Sequence, residues 1–152
     1  MAFTAQDVKT LREKTGVGMM ECKKALTEAD GDMDRAFEIL RERGLAASEK
    51  KASRIAAEGA VIAYTDEATK VTVLLEINSE TDFAAKTDRF GQLATDVATA
   101  ALKAGGDGCV TEAVNEAAKE TLTNAIATIG ENMQIRRAVR FQGADDSTFA
   151  TY

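Results

Sequence analysis

The spacing of apolar residues changes near Gly59, and this change constrains the fold more than any other feature of the sequence. Before Gly59, apolar side chains recur every three or four residues, which is the period of an amphipathic helix. From residue 70 to residue 78 they alternate with polar ones, which is the period of a strand that buries one face. The inward side chains predicted for that strand are Val71, Val73, Leu75 and Ile77. We therefore expect a chain of the α+β class, with helices on one face of an antiparallel sheet.

Residues 1–45 predict a compact domain of three short helices. Thr4 is a suitable N-cap for the first helix, and the glycines of residues 15–18 end it. A second helix is predicted over about residues 19–29, and Gly44 supplies the C-cap of the third. The residues of these last two helices that are predicted to face inward are Met19, Cys22, Leu26, Ala29, Met33, Ala36, Phe37 and Leu40.

Residues 46–58 are charged and rich in alanine, so they predict a helical linker, which ends at Gly59. Residues 59–152 then form a second predicted domain. It begins with an antiparallel hairpin whose arms are joined by a four-residue turn at 66–69. A loop is predicted at 105–108. The other predicted elements are strands at 60–65, 70–78, 135–142 and 148–152 and helices at about 84–103 and 111–129.

The composition disfavours several classes of function. The chain has no histidine, which is the commonest general base and the commonest ligand of transition metals. Cys22 and Cys109 are far apart in the sequence and lack the spacing of a zinc site. Two cysteines without a secretory context suit a reducing compartment. A net charge of −6 fits a cytoplasmic protein with protein partners and argues against broad nucleic-acid binding. No stretch of the sequence approaches the apolar length of a membrane span.

The polar segment 78–83 ends the alternating strand and precedes a predicted helix. Glu80 and Asp82 lie on the same side of an extended segment, so they are candidates for a catalytic acid pair or a hard-metal site. No third oxygen ligand is evident. A structural hypothesis is simpler, and the physical chemistry of these residues favours it. In that hypothesis Thr81 or Asp82 caps the next helix, and Phe83 packs that helix against the strand.

Residues 15–20 form a glycine-rich turn that opens a helix. Such a turn can bind an anion, but the Gly-Lys-Ser/Thr of a phosphate-binding loop is missing. A tight interhelical turn is therefore the preferred interpretation. Met19 faces the predicted core and Met20 points elsewhere, and an exposed methionine suits adaptable contacts with a protein.

Three arginines lie in the predicted strand 135–142, and two of them, Arg136 and Arg140, share one face of it. An RNA contact is one interpretation. In an acidic chain such arginines, like the basic cluster of Lys50, Lys51 and Arg54, are more often solvated or paired with carboxylates. Direct contact with nucleic acid is therefore not expected.

Several stretches together resemble the elongation factor Ts family. LREKTGVGMMECKKAL (11–26), followed by EADGDMDRAFEILRERG (28–44), resembles the N-terminal signature of that family. KKASRIAAEG (50–59) is similar to its linker, and EINSETDFAAKTDRF (76–90) to its second signature. GENMQIRR (130–137) resembles a third. The resemblance runs along essentially the whole chain, and it implies the N-terminal part of a member without the C-terminal subdomain.

This resemblance implies both a fold and a function. The first domain would be a three-helix module similar to ubiquitin-associated (UBA) domains. The function would be guanine nucleotide exchange on elongation factor Tu, the GTPase that delivers aminoacyl-tRNA to the ribosome. Exchange makes and breaks no bond in the nucleotide. The resemblance therefore implies no enzyme activity, no catalytic residue, no cofactor, no metal site and no contact with a membrane.

The resemblance also assigns residues to two contacts with the GTPase. In the family, an intruding element pushes between helices of the GTPase near its Mg²⁺ ion and helps to dislodge the metal. The residues that match this element are Thr81, Asp82, Phe83, Ala84 and Ala85. A second contact packs against a helix of the nucleotide-binding domain. The residues that match it are Val17, Met19 and Met20. One departure is at Ala84, where the family carries valine.

Two other functions compete with exchange. The chain would be a UBA-like adaptor if residues 15–20 bound another protein without any exchange activity. It would be a carboxylate-dependent metalloenzyme if Glu80 and Asp82 held a metal ion. The missing histidine makes the enzyme the weaker of these two alternatives.

Overall fold

The computed structural model describes residues 3–152 and confirms the predicted α+β class, with helices preceding an antiparallel sheet. Its helices are α1 (Ala5–Thr15), α2 (Met19–Glu28), α3 (Met33–Lys51), α4 (Asp82–Ala85), α5 (Asp88–Lys103), α6 (Thr111–Ala117) and α7 (Lys119–Ile129). Its strands are β1 (Glu58–Asp66), β2 (Val71–Ser79), β3 (Gly108–Cys109) and β4 (Met133–Gln142).

Helices α1, α2 and α3 surround a small apolar core. Thr4 caps α1, as predicted, because its hydroxyl accepts from the Asp7 N–H at 3.3 Å while its own N–H donates to the Asp7 carboxylate at 2.7 Å. Phe37 was predicted to face inward, but 38% of its surface is exposed. The buried residues of this core are Val8, Leu11, Cys22, Ala25, Leu26, Ala29, Ala36 and Leu40.

Helix α3 does not end at Gly44, as predicted, but continues to Lys51. Gly44 is buried, and a Cβ atom built on it would lie 3.6 Å from the Cβ of Ala127 in α7. This is an ordinary van der Waals distance, so Gly44 lies at the packed contact between α3 and α7 and does not cap a helix. Residues 52–57 contain no helix, so the predicted linker 46–58 is helical only in its first part. The division of the chain into domains at these residues stays a prediction.

The sheet has the strand order β1-β2-β4-β3, and each strand runs antiparallel to its neighbours. The predicted hairpin is confirmed, with Ile62 of β1 opposite Leu75 of β2. The inward residues predicted for β2 are all at most 2% exposed. They pack against buried residues of the helices that cover this face of the sheet, among them Phe90, Leu93, Val97, Ala101, Val114 and Ile126.

The two long helices predicted in the second half of the chain are each interrupted. The segment 84–103 is divided into α4 and α5 at Thr87, whose hydroxyl bonds to the backbone of both helices. This hydroxyl donates to the Ala84 carbonyl at 2.8 Å, and it accepts from the Phe90 N–H at 3.2 Å, which starts α5. The segment 111–129 is divided at Ala118, a buried residue with φ −98°. Alanine is the best helix former, so tertiary packing and not local propensity sets this second break.

The end of the chain differs from the prediction. The predicted strand at 148–152 is wrong, because these residues have no regular structure. The chain leaves the sheet at Gly143, whose N–H donates to the Lys70 carbonyl at 2.8 Å. The predicted loop 105–108 leads directly into β3, a strand that was not predicted, and Cys109 of β3 pairs with Val139 of β4.

Candidate functional site

The short helix α4 carries the segment that was assigned to an intruding element. Phe83 projects from it with 77% of its surface exposed, so the prediction that this ring packs on the strand is wrong. Ala84, the next residue, faces the opposite way and is only 4% exposed. Ala85 is partly buried and packs against the core beneath the sheet. The turn therefore rests on its two alanines and leaves the phenyl ring exposed.

Thr81 caps α4, and all of its polar groups are bonded. Its hydroxyl accepts from the Ala84 N–H at 3.3 Å. The hydroxyl also donates to one oxygen of the Glu131 carboxylate at 2.6 Å, and the Thr81 N–H donates to the other at 3.0 Å. The Thr81 carbonyl accepts from the hydroxyl of Ser79, a fully buried residue, at 2.8 Å. The start of α4 is thus tied both to the end of β2 and to the segment that precedes β4.

Glu80 belongs to a second group of polar contacts at the same junction. Its carboxylate accepts from the Asn132 N–H at 2.6 Å and lies 3.5 Å from the Arg54 guanidinium. The side chain of Asn132 is buried and donates to the Arg54 carbonyl at 2.7 Å. These bonds connect the end of β2, the segment after α3 and the start of β4. Glu80 therefore has a structural role in this junction.

Asp82 turns away from Glu80 into a separate interaction. Its carboxylate accepts from the Lys86 ammonium at 2.6 Å, and this hydrogen bond holds the pKa of Asp82 below its usual value. The same ammonium lies 5.9 Å from the centre of the Phe83 ring. Glu80 and Asp82 thus have different partners. Across residues 3–152, no group of three or more acidic or cysteine side chains is placed to hold a metal ion.

The glycine-rich turn 15–18 joins α1 to α2 tightly. Gly16 has φ 67°, a left-handed conformation that glycine adopts without strain, and its N–H closes α1 by donating to the Arg12 carbonyl at 2.8 Å. Val17 packs against the core of the N-terminal helices. Met19 was expected to face that core, but 47% of it is exposed, as is 65% of Met20. Two adjacent methionines at the start of α2 therefore form an apolar surface.

The arginines of β4 do not form one basic surface. A register shift between Glu76 and Ile77 places Arg136 and Arg137 together, and both reach the Glu76 carboxylate, at 3.5 and 3.7 Å. Arg140 instead donates to the Gly106 carbonyl at 2.6 Å and so holds the loop before β3. The expectation that Arg136 and Arg140 share a face is wrong because of this bulge. Each arginine has a structural partner.

A cavity of about 430 Å³ lies where the end of α1 meets α5 and α7. Its walls carry charged groups of both signs, and the residues of the Phe83 turn do not line it. The lining residues include Lys14, Gly16, Arg89, Gln92, Asp96 and Thr128. This cavity is therefore separate from the Phe83 turn, whereas Gly16 of the glycine-rich turn is part of its wall.

The residues that hold the Phe83 turn in place were not predicted from the sequence. Glu131, Asn132 and Ser79 were given no role, although each bonds to the segment 80–81 or to its neighbours. The available signal was the polar pair Glu131-Asn132, which directly follows the helix stop at Gly130 and precedes an apolar strand. Polar side chains between a helix stop and a buried strand are candidates for hydrogen bonds that the junction needs. The partner of Glu131 is about 50 residues away in sequence, however, and spacing alone does not identify it.

None of the helices that residues 3–152 form is both long and apolar enough to cross a membrane.

The sequence model of a family described as Elongation factor TS matches residues 80–152. Elongation factor Ts of Alkalilimnicola ehrlichii is 49% identical over 156 residues, which cover 100% of this chain and 53% of that protein. The Elongation factor Ts proteins of Clostridium novyi and Rhizobium meliloti are 51% and 48% identical, over 88% and 100% of this chain and 46% and 50% of their own lengths. The chain thus spans about half the length of the curated relatives it matches. Its motifs and these relatives together establish that the chain belongs to the elongation factor Ts family.

Proposed function

We propose that this chain is a guanine nucleotide exchange factor that binds the GDP-bound form of elongation factor Tu and promotes the release of GDP. Membership of the elongation factor Ts family supports the proposal. The single observation that carries it is the exposed phenyl ring of Phe83 on a turn whose neighbouring groups are bonded or buried. Translation elongation takes place on ribosomes, so the proposal includes a cytoplasmic location.

Phe83 is the residue proposed to enter the GTPase. Its exposed apolar surface gains about 25 cal/mol for each Å² that a partner covers. Because Thr81 is held by Glu131 and Ser79, entry of the ring displaces helices of the partner and not the turn itself. Mg²⁺ demands near-ideal octahedral geometry, so a small displacement of its ligands in the GTPase weakens its binding. The loss of Mg²⁺ then weakens the binding of GDP, whose phosphates the metal bridges.

The other residues of the intruding element have unequal roles in the proposal. Asp82 is exposed beside Phe83 and paired with Lys86, and in the proposal it contacts the GTPase directly. Ala84 is buried, so its contribution is to seat α4 on the core of this chain. Ala85 contributes in the same way from a partly buried position. The valine found in the family at position 84 therefore concerns packing within the factor more than contact with the partner.

Met19 and Met20 form the second proposed contact, with Val17 behind them. Both methionines are exposed and flexible, so they adapt to a helix of the nucleotide-binding domain at low cost. A second contact on the same chain raises the effective concentration of the first. We therefore assign affinity mainly to the methionines and disturbance of the nucleotide site mainly to Phe83.

The proposed activity requires no chemistry on the nucleotide, so the chain is not proposed to be an enzyme that makes or breaks bonds. The factor acts through a coupling free energy between two ligands of the GTPase. If it weakens GDP binding by some factor, GDP weakens binding of the chain by the same factor. This reciprocity allows an incoming nucleotide to displace the chain in turn, which completes the exchange.

Release of a fluorescent GDP analogue from the GTPase tests the proposal. The chain is expected to accelerate release, and Phe83→Ala is expected to reduce the acceleration about tenfold, which is typical of the loss of an apolar anchor. Phe141→Ala is the matched control, because Phe141 is also exposed but lies on β4. Equal release with and without the chain would contradict the proposal. Binding without any acceleration would identify the chain as an adaptor.

A further inference from the structure

The carboxylate of Glu131 lies outside the Phe83 turn and accepts two hydrogen bonds from Thr81, the residue that caps α4. We propose that Glu131 is a positioning residue for exchange, which holds Thr81 so that the Phe83 ring is presented in one orientation. This inference rests on the proposed exchange function. Glu131 would not touch the partner, and its effect would pass through Thr81 and the short helix that Thr81 starts.

Both oxygens of the Glu131 carboxylate bond to the same residue. One accepts from the Thr81 N–H at 3.0 Å, and the other accepts from the Thr81 hydroxyl at 2.6 Å. A backbone donor and a side-chain donor are thereby held at once, which fixes both the position of the backbone and the rotation of the side chain. Hydrogen bonds to an ionised acceptor are shorter and stronger than those between neutral groups. A single neutral acceptor does not give the same constraint.

The cap of α4 depends on this rotation. The Thr81 hydroxyl has one proton, and that proton is donated to Glu131. Its lone pairs are then left to accept from the Ala84 N–H at 3.3 Å. Without Glu131 the hydroxyl is free to rotate, and the Ala84 N–H loses a fixed acceptor. Phe83 lies between Thr81 and Ala84, so a looser cap allows its ring to sample several directions.

Glu131 is itself held on both sides, which distinguishes it from a flexible surface carboxylate. Gly130 before it has φ 90° and ends α7, with its N–H donating to the Ile126 carbonyl at 3.0 Å. Asn132 after it is 2% exposed, and its N–H donates to Glu80 at 2.6 Å. The backbone of Glu131 is therefore fixed relative to both the helix and the sheet. Thr81, which bonds to Glu131, is thus held in a fixed position relative to α7 and the sheet.

The kinetics of nucleotide exchange distinguish a positioning role of Glu131 from a role in docking to the partner. The exposed methionines are distant in sequence from Glu131, and both hydrogen bonds of its carboxylate go to Thr81 and not to them. Docking at subsaturating concentration therefore depends on Glu131 only weakly. The step in which the ring displaces helices of the partner depends on its orientation, and this step sets the maximal rate of GDP release. A wrongly oriented ring lowers the maximal rate more than it raises the half-saturating concentration.

The test compares Glu131→Ala, Glu131→Gln and Thr81→Val, with Glu112→Ala as a control at an exposed carboxylate elsewhere. We expect the maximal rate of GDP release to fall about tenfold in Glu131→Ala, with less than about a threefold change in the half-saturating concentration. Glu131→Gln keeps one acceptor oxygen, so it is expected to lose only about threefold. Thr81→Val removes the hydroxyl that accepts from the Ala84 N–H, so it is expected to lose about tenfold, as Glu131→Ala does. Glu112→Ala is expected to match the unmodified chain.

Amide hydrogen exchange on the same variants separates local from global effects. In Glu131→Ala, the amides of Thr81 and Ala84 are expected to exchange about tenfold faster, while the amide of Val73 in β2 is unchanged. A maximal release rate within twofold of the unmodified chain, despite faster exchange at Thr81, would overturn the inference. Equally faster exchange at Val73 would also overturn it, because the effect would then be general loosening. If the unmodified chain itself fails to accelerate release, the proposed function fails and this inference fails with it.

Discussion

Gly44 of α3 lies directly against Ala127 of α7, where a Cβ atom on the glycine would be 3.6 Å from the Cβ of the alanine. Both residues are within their helices, so the contact joins the N-terminal helices to the helices beneath the sheet. Met19 belongs to the first group of helices and Phe83 follows the first hairpin of the second. The packing of α3 on α7 therefore contributes to the spacing between the two proposed contacts with the GTPase.

Two substitutions at Gly44 test this packing. Gly44→Ala adds a methyl group at ordinary van der Waals distance and removes a glycine from a helix interior, so we expect stabilisation by about 0.5–1 kcal/mol. Gly44→Leu adds further carbons at a buried position where a Cβ atom would already contact Ala127, so we expect destabilisation by about 1–3 kcal/mol. Urea denaturation measures both values. Equal stability of the two variants would show that α3 and α7 do not pack at this point.

The sequence predicts elements best where one physical signal dominates. Alternation identifies β2 and its buried face because burial on one side of a sheet leaves a period of two. Gly44 was misread because a glycine near the end of a helical pattern fits either a C-cap or a close helix contact. The break at Ala118 has no local signal at all. In both cases, the deciding contact comes from a segment distant in sequence.

Leu74 and Leu75 are adjacent in β2 and face opposite sides of the sheet. Leu75 is 1% exposed, whereas 38% of Leu74 is exposed. We expect Leu75→Ala to lower the free energy of unfolding by about 2–5 kcal/mol, because it leaves a cavity in the core. Leu74→Ala is expected to cost less than about 1 kcal/mol. Chemical denaturation of the two variants checks the register of β2, and a larger loss in Leu74→Ala would contradict it.

Prediction of the candidate site was limited by a similar ambiguity. The order Thr81-Asp82-Phe83 fits a cap followed by a ring that packs on the strand, and the cap is found at Thr81. The direction of the ring was not predicted correctly, because Ala84, with Ala85 partly buried beside it, occupies the inward side of this short helix. The exposure of Phe83 thus follows from which neighbour is buried. That choice depends on the core that the sheet and helices form together.

Asp7 makes the stability of the first helix depend on pH. Hydrogen bonds from the Thr4 N–H and then from its hydroxyl hold the pKa of Asp7 below its usual value. A carboxyl group with a lowered folded pKa stabilises fully above its unfolded pKa of about 3.9, and this stabilisation is lost as the pH falls through the folded value.

We therefore expect the difference in thermal midpoint between the unmodified chain and Asp7→Asn to be largest near neutral pH and to vanish in strong acid. Thr4→Val removes the donating hydroxyl, so the pKa of Asp7 is expected to rise towards its usual value. An NMR titration of the Asp7 carboxyl group measures this shift. A midpoint difference that persists unchanged at low pH would contradict the assignment.

The two cysteines are expected to differ strongly in reactivity. Cys22 is 0% exposed, and burial raises the pKa of its thiol. Cys109 is exposed on β3, and the hydroxyl of Thr111, 3.3 Å from its sulfur, lowers its pKa, with a smaller effect from Arg137. Because the thiolate is the nucleophile, a lower pKa gives more reactive species at pH 7.5, and burial adds a barrier to access.

Iodoacetamide at pH 7.5 is therefore expected to modify Cys109 at least about a hundredfold faster than Cys22 in the native chain. In urea, the two rates should become similar, because the unfolded chain exposes both thiols. Thr111→Val is the matched variant: it keeps Cys109 exposed but removes the hydroxyl, so alkylation should slow severalfold at this pH without any change at Cys22. Peptide mass spectrometry follows both sites in one experiment. Cys22 is covered by the small apolar core that α1 and α2 share with α3. Equal alkylation rates of the two cysteines in the native chain would therefore mean that α1 and α2 open as fast as the reagent reacts.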